Sequence, residues 1–307
     1  MFINLFKPLA HAFAIFLLLL QPAIGAEADS ERDKDLIVQK AEQGDAEAQY
    51  ELGIAYFNGD LFPRDQKAAF HWLTKSSEQG YARAHASLTL FYQYGLVVEK
   101  DLKMTINLLL KAAEKGIAGS MSSLSYIYRT GGDGVPVDLI ESAKWELKHA
   151  EKTNDSLSQY SVGYNYEKGN GVIQDYEEAL KWYLKSAKQG ELVALSVIGD
   201  FFAEGKGVTK DLREAAKWYQ KGAEAGIQTC QVSLGLAFWS GKGVIQDYAS
   251  AYAWFNVAAS EGTPFHISLR DKIVKEMTPE QIGEGQKMAR EFFEKYSTGK
   301  LIKQLGR

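Results

Sequence analysis

A single cysteine, Cys230, is too few for a disulfide within the chain, so the fold must rest on a buried core alone. Charge of one sign is also missing. The 35 basic and 39 acidic residues are interspersed and leave a net charge of -4. That balance offers neither a basic patch for nucleic acid nor the like-charge block of a disordered tail. After residue 26 no apolar run reaches the roughly 20 residues that a membrane-spanning helix needs.

The signature spacings of common enzymes are lacking as well. His71, His85, His149 and His266 stand in no HExxH or Cys/His pattern, so no metal site is expected. Gly169-Asn170-Gly171, Gly205-Lys206-Gly207 and Gly241-Lys242-Gly243 contain G-x-G, but without a preceding buried strand or the third glycine of a dinucleotide loop. The G-x-x-x-x-G-K-[ST] phosphate loop is missing too. No serine or cysteine sits in a nucleophile elbow or beside a base that sequence alone identifies. These absences read as a non-enzyme with no cofactor.

What is present begins with an N-terminal segment unlike the rest. Lys7 supplies a positive end, Ala12 to Leu20 is apolar, and Gln21 to Ala26 leads to small residues, the pattern of a secretory signal peptide. Cleavage is expected after Ala26 or after Ala28, with an uncleaved anchor as the alternative. Removing residues 1–26 takes away only Lys7, leaving 34 basic and 39 acidic residues and a charge of -5. An exported chain without disulfides suits a large helical body better than a small secreted module. Together these features point to a periplasmic or secreted protein, bacterial rather than eukaryotic.

Length alone would allow about two ordinary domains of ~150 residues, but internal repetition overrides that prior. The hexapeptide GVIQDY occurs at 171–176 and again at 243–248, and its aspartate belongs to a series: Asp65, Asp101, Asp138, Asp175, Asp211 and Asp247. The spacings are 36, 37, 37, 36 and 36. Seven residues after each aspartate comes Trp72, Leu108, Trp145, Trp182, Trp218 or Trp254. Upstream lie Leu52-Gly53, Leu88-Thr89, Leu124-Ser125, Val162-Gly163, Ile198-Gly199 and Leu234-Gly235, each followed three residues later by an aromatic.

Each unit reads as two helices. The first, helix A, has apolar residues at helical spacing and stops at a glycine. Helix B starts at the aspartate, whose carboxylate can cap the free N–H groups of its first turn. Asp138 with Glu141, Asp175 with Glu178 and Asp211 with Glu214 also have the spacing of a capping box. One such pair cannot hide its apolar face, but stacked pairs bury a continuous core. The tryptophan column and the small residues beside each leucine are assigned to that core.

The pattern A-x-A-x-x-x-L-G-x-x-Y-x-x-G-x-G-V-x-x-D-x-x-x-A-x-x-W-x-x-x-A-A-x-x-G resembles the Sel-one-like repeat, a member of the tetratricopeptide-repeat superfamily. It is carried by Ala46-Glu47-Ala48 through Gly80 and by Gly205 through Gly226, and it spans about seven-tenths of the chain. The second repeat departs from it, with Leu108 for the tryptophan, Val97-Val98 for glycine and valine, and Thr105 for alanine. The resemblance implies an all-α, right-handed α-solenoid of six helix-turn-helix repeats with capping helices at both ends. The expected order is a signal peptide at 1–26, an N-terminal capping helix at 27–44 and the repeats at 45–262. C-terminal capping helices follow at 263–298, and a tail at 299–307. Ile282, Met288, Ala289, Phe292 and Phe293 are placed to cover the last repeat.

The resemblance also implies a protein-interaction module, since the family supplies adaptors in signalling, in secretory quality control and in bacterial envelope or host-interaction systems. Cysteine-rich secreted relatives bind β-lactam compounds, and a cell-wall or β-lactam ligand binder or hydrolase is the alternative reading. Their paired cysteines are absent here. In related solenoids the face of helix A opposite the repeat leucine lines a concave groove. On that face the candidate partner-binding residues are Tyr50, Arg83, Tyr126, Arg129, Tyr160, Tyr164 and Trp239, types that often anchor protein interfaces. The expected partner is a protein or peptide, with no nucleic acid and no integral membrane segment once the signal is removed.

If the tryptophan column is core, Trp182→Ala should destabilise the protein by ~3–5 kcal/mol as a large-to-small change. Chemical denaturation measures this, and an unchanged midpoint would remove the column from the core.

Overall fold

The computed structural model describes residues 31–296. The expected signal peptide with its cleavage positions, and the tail at 299–307, lie outside those residues. Among the described residues there are fifteen α-helices and no strand beyond one isolated bridge, Gly132 to Val135. The helices form two compact units that meet in sequence at Thr153–Asn154. Both are stacks of helix pairs, the all-α repeat-solenoid class.

Unit one holds α1 (Glu31–Glu42), α2 (Ala46–Asn58), α3 (Gln66–Glu78), α4 (Ala82–Tyr94), α5 (Leu102–Glu114), α6 (Ala118–Thr130) and α7 (Leu139–Thr153). Unit two holds α8 (Ser156–Lys168), α9 (Tyr176–Lys188), α10 (Val193–Glu204), α11 (Leu212–Glu224), α12 (Gln228–Ser240) and α13 (Tyr248–Ala258). A 3-10 turn (Ala259–Glu261) leads to α14 (Pro264–Val274) and α15 (Pro279–Tyr296). Helices α2, α4, α6, α8, α10 and α12 are the A helices of the six repeats.

The joint between A and B is the same in every repeat. Each aspartate carboxylate accepts from one or two first-turn N–H groups of helix B at 2.8–3.1 Å. Its own N–H donates at 2.7–3.0 Å to the carbonyl of the repeat aromatic on helix A: Tyr56, Tyr92, Tyr128, Tyr166, Phe202 or Phe238. This second bond corrects the capping-box expectation. With the aspartate N–H already engaged, Glu141, Glu178 and Glu214 turn outward to Lys144, Lys181 and Lys217. A reciprocal box does form at α15, where the Thr278 N–H donates to Gln281 Oε1 at 2.9 Å and the Gln281 N–H to Thr278 Oγ1 at 3.3 Å.

In GVIQDY the glutamine adds a further clasp. Gln174 Nε2 donates to the Glu167 carbonyl at 2.7 Å, and Gln246 Nε2 to that of Trp239 at 2.8 Å, which satisfies carbonyls at the end of helix A. The neighbouring Ile173 and Ile245 are almost fully exposed. In two loops a glycine is required for close approach. Gly207 and Gly243 have φ of +64° and +83°, and a Cβ there would overlap the backbone of Tyr176–Glu177 and of Leu212 respectively. Repeat two holds Val97 at φ +67° in the matching position, a conformation costly for a β-branched side chain.

Helices A and B meet through a glycine on A and a large side chain on B. A Cβ on Gly53 would stand 2.7 Å from Leu73 Cγ, one on Gly163 would stand 2.9 Å from Tyr183 Cδ1, and one on Gly235 would stand 2.6 Å from Phe255 Cε1. Gly199 opposes Tyr219 in the same way. In repeat three a polar pair replaces this contact, with Ser125 Oγ donating to Glu146 Oε2 at 2.8 Å. Leu108, Trp145, Trp182 and Trp254 are buried, whereas Trp72 and Trp218 are half-buried. A lysine three residues on covers the rings of Trp72, Trp145, Trp182 and Trp218, with Nζ 3.8–4.7 Å from the ring centroid.

The last repeat is closed by two helices. On α14, Leu269 and Ile273 join Val232, Ala251 and Phe255. On α15, Gly285 and Ala289 are buried, and Phe292 and Tyr296 bring their rings to 4.5 and 5.6 Å from Trp254. Phe293, expected in this cover, is exposed instead, because it follows Phe292 by one residue and so turns about 100° away from it.

Gly235→Ala should lower stability by about 1–2 kcal/mol, the strain of overpacking against the Phe255 ring exceeding the helix propensity that alanine adds. Thermal denaturation tests it. A raised melting temperature would mean that α12 and α13 can separate freely.

Candidate functional site

The candidate residues fall into groups, each within one unit. In unit one, Tyr50 on α2 packs against Tyr81 with ring centroids 5.3 Å apart, and burial raises its phenol pKa. The exposed Arg83 on α4 lowers it again through its charge. On α6 the Arg129 guanidinium lies 5.9 Å from the centroid of Tyr126. The remaining large apolar side chains of this face are covered. Leu90 on α4 is buried against Ile54 and Phe57 of α2.

Unit two differs. Its A helices expose Leu157 (61%) and Tyr164 (44%) on α8, Val193 (51%) on α10 and Leu236 (40%) on α12. Tyr160 is half-buried, with its ring centroid 5.1 Å from that of Tyr183, so it also belongs to the core. Trp239 is fixed on both sides. Its ring meets Phe255 edge-on at 6.0 Å, and its Nε1 donates to Glu276 Oε2 at 2.8 Å.

Two carboxylates on this face are held from below by buried phenols. Tyr183 donates its hydroxyl to Glu167 Oε2, and Tyr219 to Asp200 Oδ1, both at 2.7 Å. Burial, then the carboxylate, raises both phenol pKa values. The Asp200 carboxyl is also raised, by desolvation first and by the nearby Glu204, while the Tyr219 hydrogen bond pulls it down. Lys168 pairs with Glu167 and lies 5.7 Å from the Tyr164 ring centroid, and Lys206 pairs with Glu204. Among the described residues Asp200 has no ion pair.

An open cleft of about 410 Å³ runs between α10, α11 and α12. Ala203, Ala215, Ala216 and Ala237 line it together with Leu236, Tyr219, Trp239 and Lys242. It exists because α10 carries Ala203 where the other repeats carry Phe57, Gln93, Arg129, Glu167 or Trp239. Sequence reasoning left Asp200 and Glu167 out of the candidates. Their signal was the tyrosine directly after the tryptophan in repeats four and five, at Tyr183 and Tyr219, opposite a glycine.

The Sel1 repeat family model matches six times, at residues 46–81, 82–117, 118–151, 156–191, 193–227 and 229–263. The chain belongs to the Sel1 repeat family. A Sel1 repeat protein from Oxalobacter formigenes is 30% identical with a TM-score of 0.58, covering 79% of this chain and 99% of that one. A protective antigen present in uropathogenic Escherichia coli strains, displaying an SLR fold, is 28% identical with a TM-score of 0.56. That match covers 89% of this chain and 58% of the antigen. Chitin synthase regulatory factor 3 of Schizosaccharomyces pombe is 40% identical over 62 residues, 20% of this chain and 6% of the factor. The chain thus spans a small fraction of that curated relative, less than two repeats.

Sel1 repeats are generally protein-interaction modules, and the side chains of this Sel1 repeat protein fit that class. One buried pair has the look of catalytic parts. Ser77 Oγ and His85 Nδ1 share a hydrogen bond of 2.7 Å between α3 and α4. His85 is 5% exposed and Ser77 8%, so no substrate reaches them. The charges that act on the imidazole are Lys111 and Lys115, the opposite sign from the carboxylate that orients a catalytic histidine. Cys230 is buried and its thiol pKa is pushed up to about 12, which leaves it unreactive. Among the described residues no group of three or more His, Cys, Asp or Glu could hold a metal ion, and no helix is long and apolar enough to cross a membrane.

Burial and the two lysines lower the His85 pKa from 6.5. The unfolded chain therefore binds this proton more readily, and the stability tied to neutral His85 is intact above about pH 6.5 and declines as pH falls below it. Melting temperatures should fall for the native sequence as the pH drops from about 7 to about 5, and fall less for His85→Gln. Equal slopes would exclude His85 as the group responsible.

Proposed function

We propose that this protein is an exported, non-enzymatic adaptor that holds a peptide or protein partner on the helix-A face of unit two, within a bacterial envelope or host-interaction complex. The observation that carries the reading is the contrast between the units. In unit one the large apolar side chains of this face, Ile54, Phe57 and Leu90, are buried or half-buried, whereas unit two leaves Leu157, Tyr164, Val193 and Leu236 exposed, and Leu236 also lines the cleft. Exposed apolar residues grouped on one face mark an interaction surface, and rigid helices present it without an ordering cost. Export is supported by the sequence of residues 1–26, and a host-facing setting by the likeness to the protective antigen.

Of the tyrosines, Tyr164 is the separable probe, because Tyr160 also supports Tyr183. A photo-crosslinking residue at position 164 or 236, in the native organism, should capture the same partner. One at position 185, on the far side with Trp182, should not. Leu157→Ala with Tyr164→Ala should reduce capture severalfold with little change in melting temperature. The mature N-terminus, read by mass spectrometry of the envelope fraction, should be Glu27 or Asp29. Equal capture from positions 164 and 185, or a full-length chain confined to the cytoplasm, would overturn the reading.

A further inference from the structure

We propose that Asn170 is a site of spontaneous covalent modification, an asparagine that loses its side-chain amide in the folded protein and so ages the joint between α8 and α9. The chain holds two Asn-Gly pairs, Asn58-Gly59 and Asn170-Gly171, and in each the second residue has no side chain to shield its backbone nitrogen. In the reaction the Gly171 nitrogen gives up its proton and attacks the carbonyl carbon of the Asn170 side chain. The new N–C bond closes a succinimide ring, and the bond to the side-chain nitrogen breaks with release of ammonia, which carries the proton away. Water then opens the ring at either carbonyl and leaves aspartate or isoaspartate. No oxidant or reductant is consumed, and the attacking and attacked groups are already joined in one chain.

The fold separates the two pairs. Asn58 is the last residue of α2, where the Gly59 N–H donates to the Ala55 carbonyl at 2.9 Å and Asn58 Nδ2 donates to Asp60 Oδ2 at 3.0 Å. Attack there must first break a hydrogen bond of the helix end and draw the amide away from its partner. Asn170 lies beyond α8, which ends at Lys168, and its own N–H donates to the Asn165 carbonyl at 3.0 Å. That bond holds the residue without engaging either reacting group. Among the described residues the Gly171 N–H and the Asn170 side-chain amide make no hydrogen bond. Gly171 has φ of +73°, in the region where glycine moves with least steric restriction.

Asn170 is also an exception among like joints. Lys206 and Lys242 stand in its place before Gly207 and Gly243, so the second copy of GVIQDY follows a lysine, which has no side-chain carbonyl to attack. The isoaspartyl product routes the main chain through the side-chain carbon and adds a methylene between the Asn170 nitrogen and Gly171. Beyond that point Gln174 Nε2 must still reach the Glu167 carbonyl, now at 2.7 Å, and the Asp175 N–H the Tyr166 carbonyl, now at 3.0 Å. A longer path between fixed ends displaces these bonds and with them the aspartate that caps α9. The aspartyl product leaves the path as it was.

The test holds the full chain at mildly alkaline pH, folded in one sample and in denaturant in another, and maps its peptides by mass spectrometry over time. In denaturant both asparagines should convert at similar rates, since local sequence alone then governs them. In the folded chain Asn170 should gain the mass of an amide-to-acid exchange severalfold faster than Asn58, with isoaspartate resolved from aspartate by chromatography of the peptide. The aged native sequence should melt at a lower temperature than fresh protein. Asn170→Lys, the residue of the like joints, should remove that loss, and fresh Asn170→Asp, which adds the charge without the longer path, should melt as the unaged protein does.

Equal rates at Asn58 and Asn170 in the folded chain would overturn the inference, because the fold would then favour neither, and so would protection of both. An aged Asn170→Lys chain that loses as much melting temperature as the native sequence would remove this joint as the part that ages. An unchanged melting temperature in chain that carries isoaspartate at position 170 would do the same. None of these results bears on the adaptor reading, which crosslinked capture decides separately.

Discussion

The close approach of helix A to helix B, made possible by a missing side chain, is the constraint on which the rest depends. At Gly53, Gly163, Gly199 and Gly235 the absence of a Cβ lets Leu73, Tyr183, Tyr219 or Phe255 lie against the helix backbone. The large residue then fills the space between two helices and is sealed there. Where that residue is tyrosine, its hydroxyl emerges on the opposite face of helix A and meets a carboxylate. A packing rule thereby places polar groups on a surface, and the core residue and the surface residue become parts of one device.

The repeat architecture was legible because its signals recur in phase. Aspartate caps, stop glycines and the tryptophan column each rest on local chemistry, and six copies make each one visible. The reciprocal capping boxes at Glu141, Glu178 and Glu214 were misread for a physical reason: the N–H that each glutamate would have accepted was already given to the preceding helix, a contact that no local spacing reveals. Phe293 was misplaced by a simpler cause, since adjacent residues on a helix cannot share one face.

The candidate site was legible as a face but not as a site. Helical geometry gathers Tyr50, Arg83, Tyr126, Arg129, Tyr160, Tyr164 and Trp239 on one side of the A helices. It does not say which of them a neighbouring helix covers, and that depends on volumes from the next repeat. Leu90 fills the space beside Ile54 and Phe57 in unit one, whereas Ala203 leaves the space beside Trp239 open in unit two. A cleft of this kind is made by what one position lacks relative to its counterparts, and a search for conspicuous residues passes over it.

The closing of the last repeat has a consequence for the chain as a material. A stack of like units has, at its growing end, an apolar face shaped to receive another unit, and an open face of that sort invites end-to-end polymerisation. By laying Phe292 and Tyr296 over Trp254, and Leu269 and Ile273 over Phe255, helices α15 and α14 fill that face from within the same chain. The number of repeats is thereby fixed at this end by a plug that shares no period with them.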